Sequence, residues 1–198
     1  MRADDIIQSA EERLKPLFEK IDETALFNQE KVLSAFKEES IAMRHFLQSN
    51  GYGYGDEGMD ALGRVFARAL GGEAAIVSPA LLSGTHTINV ALFGILRPGD
   101  KALIITGTPY DTIRQVLWGE GNGSFKDFQI SFDTVPLQEG KVDFPSVKAA
   151  PKKSDYKMVY IQRSRGYELR DSFTVAEIEE MCSFVRKNGF EGVIFCDN

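Results

Sequence analysis

Residues 97–112 read Arg97-Pro98-Gly99-Asp100-Lys101-Ala102-Leu103-Ile104-Ile105-Thr106-Gly107-Thr108-Pro109-Tyr110-Asp111-Thr112. Arg97 to Asp100 has the chemistry of a turn, and Gly107 with Pro109 punctuates the far side. Between them lies a short run, Lys101–Thr106, that is apolar at consecutive positions rather than alternate ones. A strand apolar at both parities is covered on both faces, which is the habit of parallel sheets. Upstream, Gly84–Leu96 places Ile88, Ala91, Leu92 and Ile95 at helical spacing, and downstream Thr112–Trp118 reads as a second helix.

The same alternation continues outward. Ala74–Val77, Phe128–Phe132, Tyr156–Gln162 and Gly192–Cys196 read as further strands, and Thr174–Lys187 as an amphipathic helix. Strands alternating with helices predict an α/β fold with a mostly parallel sheet covered on both sides. Toward the amino terminus the pattern changes. Residues 4–48 carry Ile6, Ile7, Leu14, Leu17 and Phe18, then Val32, Leu33, Phe36 and Ile41, at helical spacing, with Pro16 expected to bend or divide the first helix. Residues 50–58 form a glycine- and tyrosine-rich loop. A helix bearing Leu62, Val65, Phe66, Ala69 and Leu70 follows and is expected to stop at Gly71-Gly72. The division expected is a helical arm, 1–50, and part of a larger sheet domain, 51–198. The last strand runs straight into Asp197-Asn198, at the edge where open α/β sheets bind ligands, so the chain is expected to be part of a longer polypeptide.

Composition narrows the function classes. The 198 residues have a net charge of −6 and a pI near 5.1, with Lys152-Lys153 the most basic spot, which argues against a nucleic-acid footprint. No apolar stretch approaches the ~20 residues of a membrane helix, and Met1-Arg2 is followed at once by acidic residues, unlike a secretory leader. A cytoplasmic, soluble protein is expected. Cys182 and Cys196 lack metal-ligand spacing and read as reduced thiols. Asp56-Glu57 has no further ligands at coordinating spacing, so no metal is expected.

Four motifs carry chemistry. Leu82-Ser83-Gly84-Thr85-His86-Thr87 opens a helix, where free amides and the hydroxyls of Ser83, Thr85 and Thr87 suit an anion such as phosphate; an ordinary helix cap reads the same way. Tyr110, just past a strand, can stack on a flat ring or be a half-buried turn residue. Asp197 is a carboxylate at the end of a buried strand, costly without a partner. A protonated pyridine nitrogen would serve; so would a loop position. Gln162-Arg163-Ser164-Arg165-Gly166-Tyr167 offers two arginines for a carboxylate or phosphate, or for solvent. Each signal is weak alone, but all four fall at the carboxyl ends of successive expected strands. His45 and His86 have no visible catalytic partner and read as helix-face or supporting residues.

With these motifs the chain resembles the aluminium-resistance protein family, within the cysteine/methionine-metabolism class of pyridoxal 5′-phosphate (PLP) enzymes that includes methionine gamma-lyase. The resemblance spans essentially the whole chain and is most specific at Gly51-Tyr52-Gly53-Tyr54, Ser83 to His86, Arg97 to Asp100, Gly107 to Thr112 and Gln162 to Tyr167. It implies a fold-type I PLP-dependent transferase-like architecture, the helical arm preceding part of the large cofactor-binding domain. It implies that Ser83, Gly84 and Thr85 bind the cofactor phosphate, that Tyr110 stacks on the ring and assists proton transfer, and that Asp197 holds the ring nitrogen. It also implies that Tyr52 or Tyr54 reaches the neighbouring subunit's phosphate site, and that Arg163 or Arg165 contacts the carboxylate of an amino-acid substrate. A homodimer or homotetramer with its active site at the subunit interface is implied, and a lyase acting on a sulfur-containing or related amino acid. The alternatives are a non-catalytic stress-response protein on the same fold, or desulfurase, racemase or aldolase chemistry. Three departures stand out. The lysine that binds the cofactor covalently is expected beyond Asp197, Met59 replaces an expected basic residue, and Ser78-Pro79-Ala80-Leu81-Leu82 lacks an expected Arg-Gln pair.

Overall fold

A computed structural model describes residues 2–48, 54–121, 123–152 and 155–198. The chain divides into two compact units, Met1–Leu81 and Leu82–Asn198.

The first unit is helical. Helix α1 spans Ala3–Glu38 without interruption, so Pro16 does not divide it as its sequence predicts. More than three turns of helix before Pro16 and about six after it outweigh the one hydrogen bond a proline removes. The apolar residues Ile6, Ile7, Leu14, Leu17 and Phe18 lie on α1 but stay 43–56% exposed, and Ala35 is its one buried residue. A 3-10 turn, Met43–Phe46, follows, and then α2, Glu57–Leu70. Asp56 caps α2 by accepting the Met59 N–H at 3.0 Å, and Gly71 ends it in the left-handed region, as Gly71-Gly72 predicts. Glu39 takes guanidinium hydrogen bonds from both Arg64 and Arg68, which hold its carboxyl below the usual range.

Ala74–Val77 is not a strand. Its composition suits one, but a strand exists only as part of a hydrogen-bonded ladder, and no described residue pairs with it. The segment runs extended beside α2 instead, where a Cβ on Gly63 would come 2.8 Å from the Ala75 carbonyl, and Ile76 is 88% exposed.

The second unit is the α/β layer expected. In chain order it comprises α3 (Gly84–Ile95), β1 (Lys101–Ile104), α4 (Asp111–Trp118), β2 (Ser131–Thr134), α5 (Phe144–Ala149), β3 (Met158–Gln162), α6 (Val175–Lys187) and β4 (Val193–Asp197). All strand pairs are parallel, in the order β2-β1-β3-β4. The expected strand 128–132 shifts to Ser131–Thr134, because Phe128 and Gln129 close a turn on Ser124 and Lys126 and Gln129 takes a φ of +59°.

Strand alternation sorts the core into two faces. Ala102, Ile104, Phe132, Met158, Tyr160 and Phe195 face α3 and α4, packing on Ile88, Leu92, Ile113 and Leu117. Leu103, Ile105, Val159, Ile161 and Ile194 face α5 and α6, packing on Val147, Met181 and Val185. From β1 the chain winds outward to β2 and then returns across to β3 and β4. Since crossovers keep one hand, reversing the winding moves the helices to the other face. The strand order therefore switches between β1 and β3, the place where open α/β sheets take ligands. Among the described residues no helix is long and apolar enough to cross a membrane.

Candidate cofactor site at the carboxyl edge of the sheet

The site is assembled by two helix starts and two strand ends. The turn Arg97–Asp100, closed by Asp100 N–H to the Arg97 carbonyl at 2.9 Å, reverses the chain so that α3 runs back over the sheet. Its N-terminus thus lies toward the strands' carboxyl ends. Ser83 is the N-cap there, its hydroxyl oxygen accepting the His86 N–H at 3.1 Å. The first-turn amides of Gly84 and Thr85 are not needed by the helix, and nothing lies within 4 Å of a Cβ built on Gly84. The Thr87 hydroxyl is turned back onto the Ser83 carbonyl at 2.9 Å, which removes it from the anion cup. His86 accepts the Leu82 N–H at 3.2 Å through Nδ1, and His45 accepts the Ala42 N–H at 2.9 Å. Both histidines secure their own turns.

Tyr110 is the N-cap of α4, directly after β1. Its N–H donates to the Gln162 Oε1 at 3.4 Å, and a Cβ on Gly166, which has a φ of +58°, would come 2.8 Å from the Tyr110 Cβ. Gln162 is buried and stitches the two loops together. Its N–H donates to the Thr106 hydroxyl at 2.9 Å and its Nε2 to the Ser164 carbonyl at 2.8 Å. Burial, then the negative charge of Asp197, raises the Tyr110 phenol above its ordinary range, against a hydrogen bond with Thr112. At neutral pH it is a neutral ring and a proton donor, not a base.

Asp197 closes β4. It shares the parity of Phe195 and so faces α3 and α4, the same side as Tyr110. It is half-buried, and burial pushes its carboxyl upward while a hydrogen bond from Tyr160 pulls it down. The Tyr160 hydroxyl donates to Asp197 Oδ2 at 3.2 Å.

The two arginines are engaged by their own loop. Arg163 Nε donates to the Phe173 carbonyl at 2.9 Å and its NH1 to Asn198 Oδ1 at 2.8 Å, while Arg165 NH1 donates to the Arg170 carbonyl at 2.7 Å. Tyr54 is 84% exposed, in the first unit, and Tyr52 lies outside the described residues. Asp56 serves as a helix cap and Glu57 pairs with Arg44 at 3.3 Å; no cluster of metal-ligating side chains occurs among the described residues. A hollow of about 250 Å³ in the second unit is lined by Leu103, Val147, Tyr156, Val159 and Phe184, none of them a residue of this edge. Its lining is mostly apolar, so it lacks the converging polar groups of the strand-end edge.

The donor set at that edge suits one kind of ligand. It has free amides and hydroxyls for a phosphate, an aromatic face for a flat ring, and a carboxylate for a ring cation. Comparison with known proteins gives the family. The methionine gamma-lyase family model matches residues 3–198. This chain belongs to the methionine gamma-lyase family. A Bacillus subtilis relative, the uncharacterised protein YnbB, is 44% identical over 188 residues, covering 92% of this chain and 44% of that protein. A Listeria monocytogenes structure, provisionally named a cystathionine beta-lyase involved in aluminium resistance, is 48% identical with a TM-score of 0.91, over 98% of this chain and 50% of that one. The structure of a carbon-sulfur lyase involved in aluminium resistance from Clostridium novyi is 36% identical with a TM-score of 0.88, over 96% of this chain and 46% of that one. The PLP-dependent protein YhfS of Escherichia coli shares the fold, with a TM-score of 0.64 at 19% identity. The chain thus spans about half the length of the relatives it matches.

The sequence singles out Gln162 only as part of its motif, and Tyr160 not at all. Tyr160 had left a signal: a phenol inside an otherwise apolar buried strand needs an acceptor.

Proposed function

We propose that this chain forms the cofactor-binding front of a PLP-dependent carbon-sulfur lyase acting on a sulfur-containing or related amino acid. The observation that carries the proposal is Asp197, a half-buried carboxylate at the end of β4 on the sheet face that also bears Tyr110 and the start of α3. When bound, PLP supplies an electron sink for the carbanion formed beside the amino group. Ser83, Gly84 and Thr85 would hold its phosphate through amides and hydroxyls, and Asp197 would keep the ring nitrogen protonated. Tyr110 would cover the ring and, being neutral, would donate rather than remove a proton. Arg163 has guanidinium N–H groups beyond its two recorded bonds, which leaves it able to meet a substrate carboxylate; Arg165, in the exposed part of the loop, is the more accessible of the two.

The test is a product screen on the full-length polypeptide loaded with PLP. Cystathionine, methionine and cysteine should release a 2-oxo acid and ammonia well above the rate with PLP alone. Uptake of PLP without cleavage of any carbon-sulfur substrate would move the reading to another PLP reaction, and no uptake would move it to a non-catalytic role.

A further inference from the structure

We propose that Tyr160 is a positioning residue for Asp197, holding one carboxylate oxygen so that the other is aimed, still charged, at the ring nitrogen of the cofactor; this rests on the PLP reading above. Tyr160 sits in the middle of β3, in the run Met158-Val159-Tyr160-Ile161-Gln162, with 0% exposure and the largest side chain among the fully buried ones. A phenylalanine would fill the same space. The hydroxyl is the one polar atom the position adds, and burying it costs free energy unless it is hydrogen-bonded.

Its acceptor is Asp197 Oδ2, at 3.2 Å. The register pairs Tyr160 with Phe195 and Gln162 with Asp197, so the phenol reaches diagonally, two register positions further along the sheet, to the carboxylate. Its ring is stacked on Phe195, with centroids 5.3 Å apart and planes 28° apart, and packed in the apolar core. The donor is therefore held by the core rather than by a mobile loop. No described residue is recorded as donating to Oδ1.

The choice of donor matters. A lysine or arginine would neutralise Asp197 and compete with a ring cation for it. A phenol donates a hydrogen bond while leaving the net negative charge in place. Burial favours the neutral acid, and the phenol opposes burial by stabilising the ionised form. The other titratable groups around the carboxylate are Tyr110, Cys196 and Arg163. The Tyr110 phenol and the Cys196 thiol, both shifted upward from ordinary values that already lie above neutral pH, carry no charge there, and Arg163 meets Asp197 through its backbone N–H, which donates to the Asp197 carbonyl at 2.9 Å.

The experiment compares the full-length polypeptide with its Tyr160→Phe variant, which keeps the ring and removes the hydroxyl. In the cofactor-free protein, the Asp197 carboxyl is titrated by carbon NMR, its signal assigned with Asp197→Asn. The midpoint should rise by roughly one pH unit in Tyr160→Phe. In the loaded protein, nitrogen NMR of ring-labelled PLP should show a less protonated nitrogen in the variant than in the wild type at the same pH. A folded variant with an unchanged carboxyl midpoint, or with an equally protonated ring nitrogen, overturns the proposal. If the wild type takes up no PLP, the cofactor reading fails, and the carboxyl titration still decides whether Tyr160 governs Asp197. Should Tyr160→Phe not fold, the wild type decides. A Tyr160 hydroxyl proton protected from exchange, and lost in Asp197→Asn, supports the assignment; a freely exchanging one overturns it.

Discussion

Asp197 is a half-buried carboxylate whose charge burial opposes. Its burial raises the folded-state carboxyl above the ordinary value of 3.8, so the folded protein holds that proton more tightly than the unfolded chain does. Below about 3.8 both states are protonated and there is no penalty. The penalty grows as pH rises through the folded-state value and is complete above it. Asp197→Asn in the cofactor-free protein should therefore melt higher at pH 7. The gap should close as the pH falls toward 3.8, as followed by thermal denaturation across pH. A variant that melts lower at pH 7 would show the charge to be stabilising. Asp197 and Ser83 were legible in the sequence because each sits where a strand or helix boundary exposes it. Tyr160 was not, because its role depends on a strand partner 37 residues away, and no local pattern encodes that pairing. Thr87 was misread for a related reason: its hydroxyl had a nearer acceptor, the Ser83 carbonyl.

At the scale of elements, boundaries follow local chemistry where caps exist. Thr174 and Glu177 form a reciprocal capping box, with Thr174 N–H to Glu177 Oε2 at 2.7 Å and Glu177 N–H to Thr174 Oγ1 at 3.2 Å, and α6 begins just inside the expected Thr174. The ladder of β1 continues past Ile104, with the Ile105 N–H donating to the Tyr160 carbonyl at 3.1 Å, so the expected Lys101–Thr106 run was close. Ala74–Val77 shows the limit. Apolar composition marks a segment that can be a strand, and only a partner makes it one. Pro16 shows another limit, since α1 runs through it. It still carries the cost of a missing hydrogen bond, on the order of 3 kcal/mol relative to alanine. Pro16→Ala in a peptide spanning 3–38 should raise helicity markedly by circular dichroism. Equal helicity would mean that the turn around Pro16 is frayed in solution.

For the whole molecule, the winding reversal between β1 and β3 places Tyr110 and Gln162 at one edge, and the alternation of β4 brings Asp197 to the face that carries Tyr160. The placement of Tyr110, Gln162 and Asp197 was legible in outline from three strand-end motifs, without the strand order. The apolar stripe on α1, Ile6 through Phe18, is exposed in the single chain, and it supports the proposal of a homodimer or homotetramer. Sedimentation equilibrium of the full-length polypeptide should give two or four copies, and charged substitutions at Leu14 and Phe18 should lower that number; a monomer at micromolar concentration would contradict the proposal. The most direct measurement is of the cofactor itself. Full-length polypeptide incubated with PLP and freed of excess should carry one PLP per chain, with a visible absorbance band that borohydride bleaches, and should lose most of that cofactor when Ser83 and Asp197 are replaced by alanine. A polypeptide that emerges with no bound PLP, or that binds it equally well without Ser83 and Asp197, would contradict the account.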